Sequence, residues 1–130
     1  MKIGLDYGGV IDFALDGWAA AITEAKSKGH EFHIVSHAVP GADAEKRAVF
    51  AERCGIKNHT FWDLKPGSQE AEICKRKAEL CEKLGLEVLI DDDLTRVETV
   101  GRYCNRCAAF YIPQNLWQIG LQIVIGLGRD

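Results

Sequence analysis

The sequence lacks the long apolar run of a membrane protein. No stretch reaches the roughly 18 consecutive apolar residues of a spanning helix, although 47% of its 130 residues are hydrophobic. It also lacks an excess of positive charge. The net charge is −3 and the pI about 5.8, so no basic field recruits nucleic acid or an anionic membrane. That argues against an extended nucleic-acid surface but not against a nucleotide, whose phosphates need only a local site. An even set of cysteines is missing as well. The five present, Cys54, Cys74, Cys81, Cys104 and Cys107, leave no complete disulfide framework, and a reducing compartment keeps them as thiols. Absent too are a basic N-terminal segment leading into a long apolar stretch, a GxGxxG fingerprint, a P-loop lysine motif and an HExxH spacing. No internal repeat, low-complexity tract or linker divides the chain. These absences lead us to expect a soluble, cytoplasmic protein forming one domain over residues 1–130, with enough apolar content for a core.

What is present begins with the first ten residues. The apolar run Ile3-Gly4-Leu5 ends abruptly in Asp6, and Gly8-Gly9 follow. A short buried strand stopped by glycines has this pattern. Asp6 then sits at the strand's carboxyl end, the edge where open α/β sheets bind ligands. The same grammar recurs in Val88-Leu89-Ile90-Asp91-Asp92-Asp93, and more mildly in Phe32-His33-Ile34-Val35-Ser36-His37. Three strands of one sheet would deliver Asp6, Ser36 and Asp91-Asp92 to one rim.

Between these strands the apolar period turns helical. Helices are expected over 16–28, with Trp18, Ala21, Ile22 and Ala25 inward and Asp16 as N-cap, and over 43–54, with Ala44, Ala48 and Ala51 close-packed and Gly55 as stop. A short strand is expected over 59–62 and a loop around Lys65-Pro66-Gly67. A long helix over 69–84 carries Ile73, Lys77, Leu80, Cys81 and Leu84 on its inner stripe. A lysine in that stripe can pack its stem while its ammonium reaches the sheet edge. A strand over 86–90, a helix over 94–101 with Leu94, Val97 and Val100 inward, a strand over 108–112 and a C-terminal helix over 115–127 complete the chain. Residues 119–125 are apolar enough to read as a strand instead. The alternation βαβαβαβαβα predicts an α/β, three-layer, Rossmann-like fold: about five parallel strands with helices on both faces and the Asp6 strand central.

Four features taken together resemble the haloacid dehalogenase (HAD) superfamily, mostly phosphatases and phosphotransferases. They are the strand ending in Asp6 before Gly8-Gly9-Val10, the strand ending in Ser36, Lys77 on the helix Lys77-Ala78-Glu79-Leu80-Cys81-Glu82-Lys83-Leu84-Gly85, and Val88-Leu89-Ile90-Asp91-Asp92. The resemblance covers residues 1–100. The spacings 7–35 and 37–76 leave no room for a cap domain, as in the small cap-less, nucleotidase-like members. The resemblance implies a Mg²⁺-dependent phosphohydrolase. Asp6 would attack phosphorus and form an aspartyl-phosphate, as a carboxylate can once cations screen the repulsion between anions. Asp6, Asp91, Asp92 and the Gly8 carbonyl would hold Mg²⁺, which prefers hard oxygen ligands. Ser36 would donate to a phosphoryl oxygen, and Lys77 would neutralise phosphate charge and steady Asp6. Gly9 and His37 would line the substrate. The partner implied is a small phosphorylated molecule, a nucleotide among the options, and an oligomeric neighbour is compatible with an uncapped site.

One position departs from the family pattern. Active phosphatases of this kind carry a second Asp two residues after the nucleophile, as general acid and base; here it is Gly8. Glycine keeps the metal-facing carbonyl but removes a proton shuttle worth roughly 10²–10⁴-fold. Asp12 and His37 are the available stand-ins. The departure leaves two readings open: a slow phosphatase, or a relative that binds Mg²⁺ and a phosphorylated ligand, or acts as an interaction domain, without turnover.

Plainer readings stand beside these. An Asp after a strand is often a turn residue or helix cap, and Asp93 is expected only to cap the helix at Leu94. Lys65 and Lys75 compete with Lys77 for the site. Cys104-Asn105-Arg106-Cys107 has the spacing of half a zinc site, which Cys74 and Cys81 could complete, yet cysteine is commonly an ordinary buried residue. Trp18 and Trp62 are expected in the core.

Overall fold

The computed structural model describes residues 1–62 and 70–129. Five strands, β1 (Lys2–Leu5), β2 (Glu31–His37), β3 (Lys57–Phe61), β4 (Val88–Asp91) and β5 (Ala108–Tyr111), form one sheet in the order β3-β2-β1-β4-β5. Every pairing is parallel. Parallel strands need helical crossovers that cover both faces. Helices α1 (Leu15–Ser27), α2 (Ala42–Cys54), α3 (Glu70–Leu84) and α4 (Leu94–Tyr103) supply them, and α5 (Trp117–Leu127) follows β5. The expected three-layer α/β architecture is the one observed.

Strand alternation divides the core in two. Ile3, Leu5, Phe32, Ile34 and Ile90 point to one face, against Trp18 and Ile22 of α1, Phe50 of α2 and Val124 of α5. Val35 and Leu89 point to the other, against Ala78 and Cys81 of α3 and Val100 of α4. The register sets Leu5 beside both Ile34 and Ile90. Asp6, Ser36 and Asp91 therefore leave the sheet at one edge. Strand order reverses between β1 and β4, the position where α/β sheets open a ligand crevice. Among the described residues, no helix is long and apolar enough to cross a membrane.

Several local expectations are corrected. The buried stripe of α2 is Arg47, Phe50, Ala51 and Cys54, while Ala48 and Val49 face solvent. The helix is rotated because Arg47 turns inward to the sheet edge, where its charge finds hydrogen-bond partners. Asp16 caps nothing: the N-cap position of α1 is Ala14, without a side-chain bond, and Asp16 instead pairs with Arg53 at 2.6 Å. Leu94 and Trp62 are exposed rather than inward, because Trp62 follows the last residue of β3 and Leu94 opens α4, where among the described residues no layer covers either. Residues 115–127 open with a short 3₁₀ turn, Gln114–Leu116, and continue as helix α5, which buries Val124 against the sheet rather than adding a strand. Gly55 does end α2 in the left-handed region, and Asp93 caps α4, accepting from Arg96 N at 3.0 Å. The loop around Lys65 lies outside the described residues.

Candidate functional site

β1 and β4 carry Asp6 and Asp91 to the carboxyl edge because their apolar residues lock the register behind them. Asp6 N donates to Ile90 O at 3.0 Å, which ties the end of β1 to β4. From the layer below, α3 presents Lys77. It lies on the same helix face as Ile73 and Cys81 and is fully buried. Its Nζ donates to Asp6 Oδ1 at 3.2 Å and to Asp91 Oδ2 in a still shorter contact. Lys75 is exposed and pairs with Glu79 at 4.0 Å, so the site lysine among the described residues is Lys77.

Asp92 completes a group of three carboxylates with Asp6 and Asp91, whose ligand oxygens lie within 4.8 Å of one another. Gln114 Nε2 donates to Asp92 Oδ2 at 2.7 Å and orients it. Gly9 lies directly beneath. Its φ is +77°, and a Cβ there would stand 2.1 Å from Asp92 Oδ2, so backbone and space both demand glycine.

Burial of this many charges sets the electrostatics. Burial pushes the Asp6 carboxyl above its usual range; Lys77 opposes the rise and neighbouring Asp92 adds to it. Asp91 is raised for the same leading reason, again against Lys77. Burial alone would lower Lys77, but Asp6 and Asp91 outweigh it and hold the ammonium at about 12. Arg96 of α4 adds positive charge nearby while its Nε donates to Glu70 at 2.8 Å. Among the described residues, Lys77 is the one cation in direct contact with this group of acids, Arg96 acting from farther away while paired with Glu70. The group's donors are all hard oxygens, the set that Mg²⁺ takes; Asp6 Oδ1 and Asp91 Oδ2 face Lys77, Asp91 Oδ1 accepts from Asp93 N at 3.0 Å, and the Asp6 carboxyl lies within hydrogen-bond reach of Asp92.

β2 splits its last two residues between the layers. Ser36 turns toward α2, where its Oγ accepts from Arg47 Nε at 2.8 Å. His37 turns to the other side, with its ring 5.5 Å from Phe61. Burial, then Arg96, lowers the His37 pKa, so the ring is neutral near pH 7. Asp12, in the 3₁₀ turn Ile11–Phe13, accepts from Gly9 N at 2.8 Å and stiffens the glycine turn. The structure thus gathers Asp6, Lys77, Asp91 and Asp92 by direct contact, with Gly9 beneath them. Ser36 and Gly8 lie on the α2 side, against Arg47.

Arg47 is the residue that sequence reasoning missed. Its NH1 donates to Asp43 O at 2.9 Å and Asp43 Oδ1 at 2.8 Å, and the guanidinium lies 4.7 Å from the centre of the Tyr7 ring. The available signal was the spacing 43, 47, 50, 51, 54, which makes as good a helical stripe as the alanines do. The cysteines form no metal set: among the described residues no His/Cys trio lies within metal-binding reach. Cys74 faces Glu70, and Cys104 Sγ faces Ala78 O.

No protein-family model matches the chain, and no curated protein sequence does. Solved structures do. An uncharacterised protein from Corynebacterium glutamicum ATCC 13032 Kitasato matches with a TM-score of 0.68 at 20% identity, over 98% of this chain and 93% of the other. A universal stress protein in complex with cAMP matches with a TM-score of 0.53 at 12% identity, over 85% of this chain and 96% of the other. These are likenesses of fold: helices packed on both sides of a Rossmann-like parallel sheet.

Proposed function

We infer that this protein is a Mg²⁺-dependent phosphohydrolase working through Asp6. One observation carries the reading. A fully buried lysine bridges two carboxylates at the strand-order reversal, with a third carboxylate in contact range. Burying such a group costs several kcal/mol per ion even after relaxation, and replacing a whole group of this kind by hydrophobic residues is often neutral or stabilising. The arrangement is therefore explained by chemistry at the edge rather than by packing.

In this reading Asp6, Asp91, Asp92 and the Gly8 carbonyl would hold Mg²⁺, which would supply positive charge against the phosphoryl oxygens. Lys77 positions the Asp6 carboxylate and lessens its repulsion from an incoming phosphate. An Asp6 oxygen attacks phosphorus, the bond to the ester oxygen breaks, and water then hydrolyses the aspartyl-phosphate. No acid at Gly8 protonates the departing oxygen. Esters whose leaving group departs as a stable anion should therefore turn over, and alkyl esters slowly.

The second reading is a binder without turnover. Gly8 favours it, and so does the engagement of Ser36 Oγ by Arg47 rather than by an open site. Phosphate release from p-nitrophenyl phosphate, nucleotides and sugar phosphates with Mg²⁺, run beside Asp6→Asn, separates the two. Turnover that vanishes in the variant supports the hydrolase. Absence of turnover on every substrate, with phosphate binding retained, supports the binder. Turnover unchanged in Asp6→Asn removes Asp6 as nucleophile.

A further inference from the structure

We propose that Arg47 and the groove beside it hold a second anionic group of the substrate, a carboxylate or phosphate separate from the reacting phosphoryl. The inference rests on the phosphate-ester reading above and narrows its substrate class. The groove encloses about 770 Å³ between the Tyr7–Leu15 segment and α2, within the usual range for small-molecule sites. The rings of Tyr7 and Phe50, with Leu15 and Val49, offer an apolar wall for a carbon skeleton. Gly8, two residues after Asp6 in the chain, forms its corner.

Arg47 is only 5% exposed, and three sides of its guanidinium are committed. Nε serves Ser36, NH1 serves Asp43, and one face lies on Tyr7. NH2 is different. Its one protein partner among the described residues is His37 O at 3.5 Å, a long and weak contact. NH2 also lies 3.6 Å from the point where a Cβ on Gly8 would stand, and nothing else comes within 4 Å of that point. The missing side chain at Gly8 thus leaves open space in front of a buried, oriented, under-used donor. The groove's acids, Asp12, Asp43 and Glu45, balance its bases, Lys46, Arg47 and Arg53, so the preference for an anion is local to this guanidinium. Asp43 offsets part of the charge through NH1 at 2.8 Å, but no carboxylate among the described residues pairs with NH2. A planar, fixed guanidinium recognises carboxylate and phosphate oxygens well. The space that a second acid would fill is available to an acid of the substrate.

The test is the affinity of phenyl phosphate and its 2-, 3- and 4-carboxylated derivatives, by calorimetry with Mg²⁺. At least one carboxylated isomer is expected to bind about tenfold more tightly than phenyl phosphate, about 1.4 kcal/mol. The advantage should vanish in Arg47→Gln. Gly8→Leu, which keeps Arg47 and starts a side chain 3.6 Å from NH2, should also abolish it and guards against misfolding of the arginine variant. Phenyl phosphate binding with no gain for any isomer overturns this inference and leaves the phosphate-ester reading standing. A gain that survives Gly8→Leu also overturns it. No binding of any of the four esters overturns both.

Discussion

Lys77 Nζ lies 3.2 Å from Asp6 Oδ1, both groups buried, across 71 positions of sequence. The contact joins the first strand to the third helix and is shared with Asp91. Lys77→Met would leave two buried carboxylates facing each other. Breaking a buried pair in this way costs about 3–5 kcal/mol, so the urea midpoint should fall sharply. Lys77→Met with Asp91→Asn should recover part of the loss. A midpoint unchanged by Lys77→Met would show that the lysine carries no structural charge balance.

Mg²⁺ should stabilise the fold. At ten times its dissociation constant, a ligand specific to the native state adds about 1.4 kcal/mol, read as a rise in Tm that EDTA reverses. Gly9→Ala should abolish the rise, because the added Cβ meets Asp92 Oδ2 at 2.1 Å on a backbone with φ of +77°. Gly8→Ala should keep it, since its Cβ meets only Arg47 NH2 at 3.6 Å. Equal responses from the two variants would separate the metal from Asp92.

Gly8→Asp would place a carboxylate against the Arg47 guanidinium. The arginine holds such a group ionised, which makes it a poor proton donor. The expected gain on alkyl phosphates is therefore well below the roughly 10²–10⁴-fold of a competent acid. Adding Arg47→Gln should raise it further. A full gain from Gly8→Asp alone would show that Arg47 does not reach that space.

Acid should weaken the β2–β3 pair. His33 Nδ1 and His59 Nε2 lie 3.0 Å apart, and His33 Nε2 lies 2.7 Å from Glu31. Burial lowers the His59 pKa below its usual 6.5, and His33, Lys57 and Lys83 add to the shift. The folded chain then binds fewer protons at His59 than the unfolded chain. That contribution is complete above about 6.5 and is lost as pH falls through the lower folded value. Urea midpoints at pH 7.5 and 5.5 should differ more in the wild type than in His59→Asn. An equal difference would place the acid sensitivity elsewhere.

The one-dimensional pattern determined the layers. Apolar runs ending in Asp6, Ser36 and Asp91 need no distant information to be read as buried parallel strands, since both faces of such a strand are covered. Lys77 was legible for a related reason: a cation amid Ile73 and Cys81 breaks the apolar period, and only a buried partner accounts for it. Tertiary structure alone decided what depends on direction. α2 had two equivalent stripes, one of alanines and one holding Arg47, and propensity does not choose between them. Packing chose the second, because Ser36, Asp43 and Tyr7 hold three sides of a guanidinium that water would otherwise have kept. Trp62 and Leu94 read as core by composition, but Trp62 follows the last residue of β3 and Leu94 opens α4, and among the described residues no layer covers either. Hydrophobicity is a property of each residue, and burial is a property of what the rest of the chain places over it.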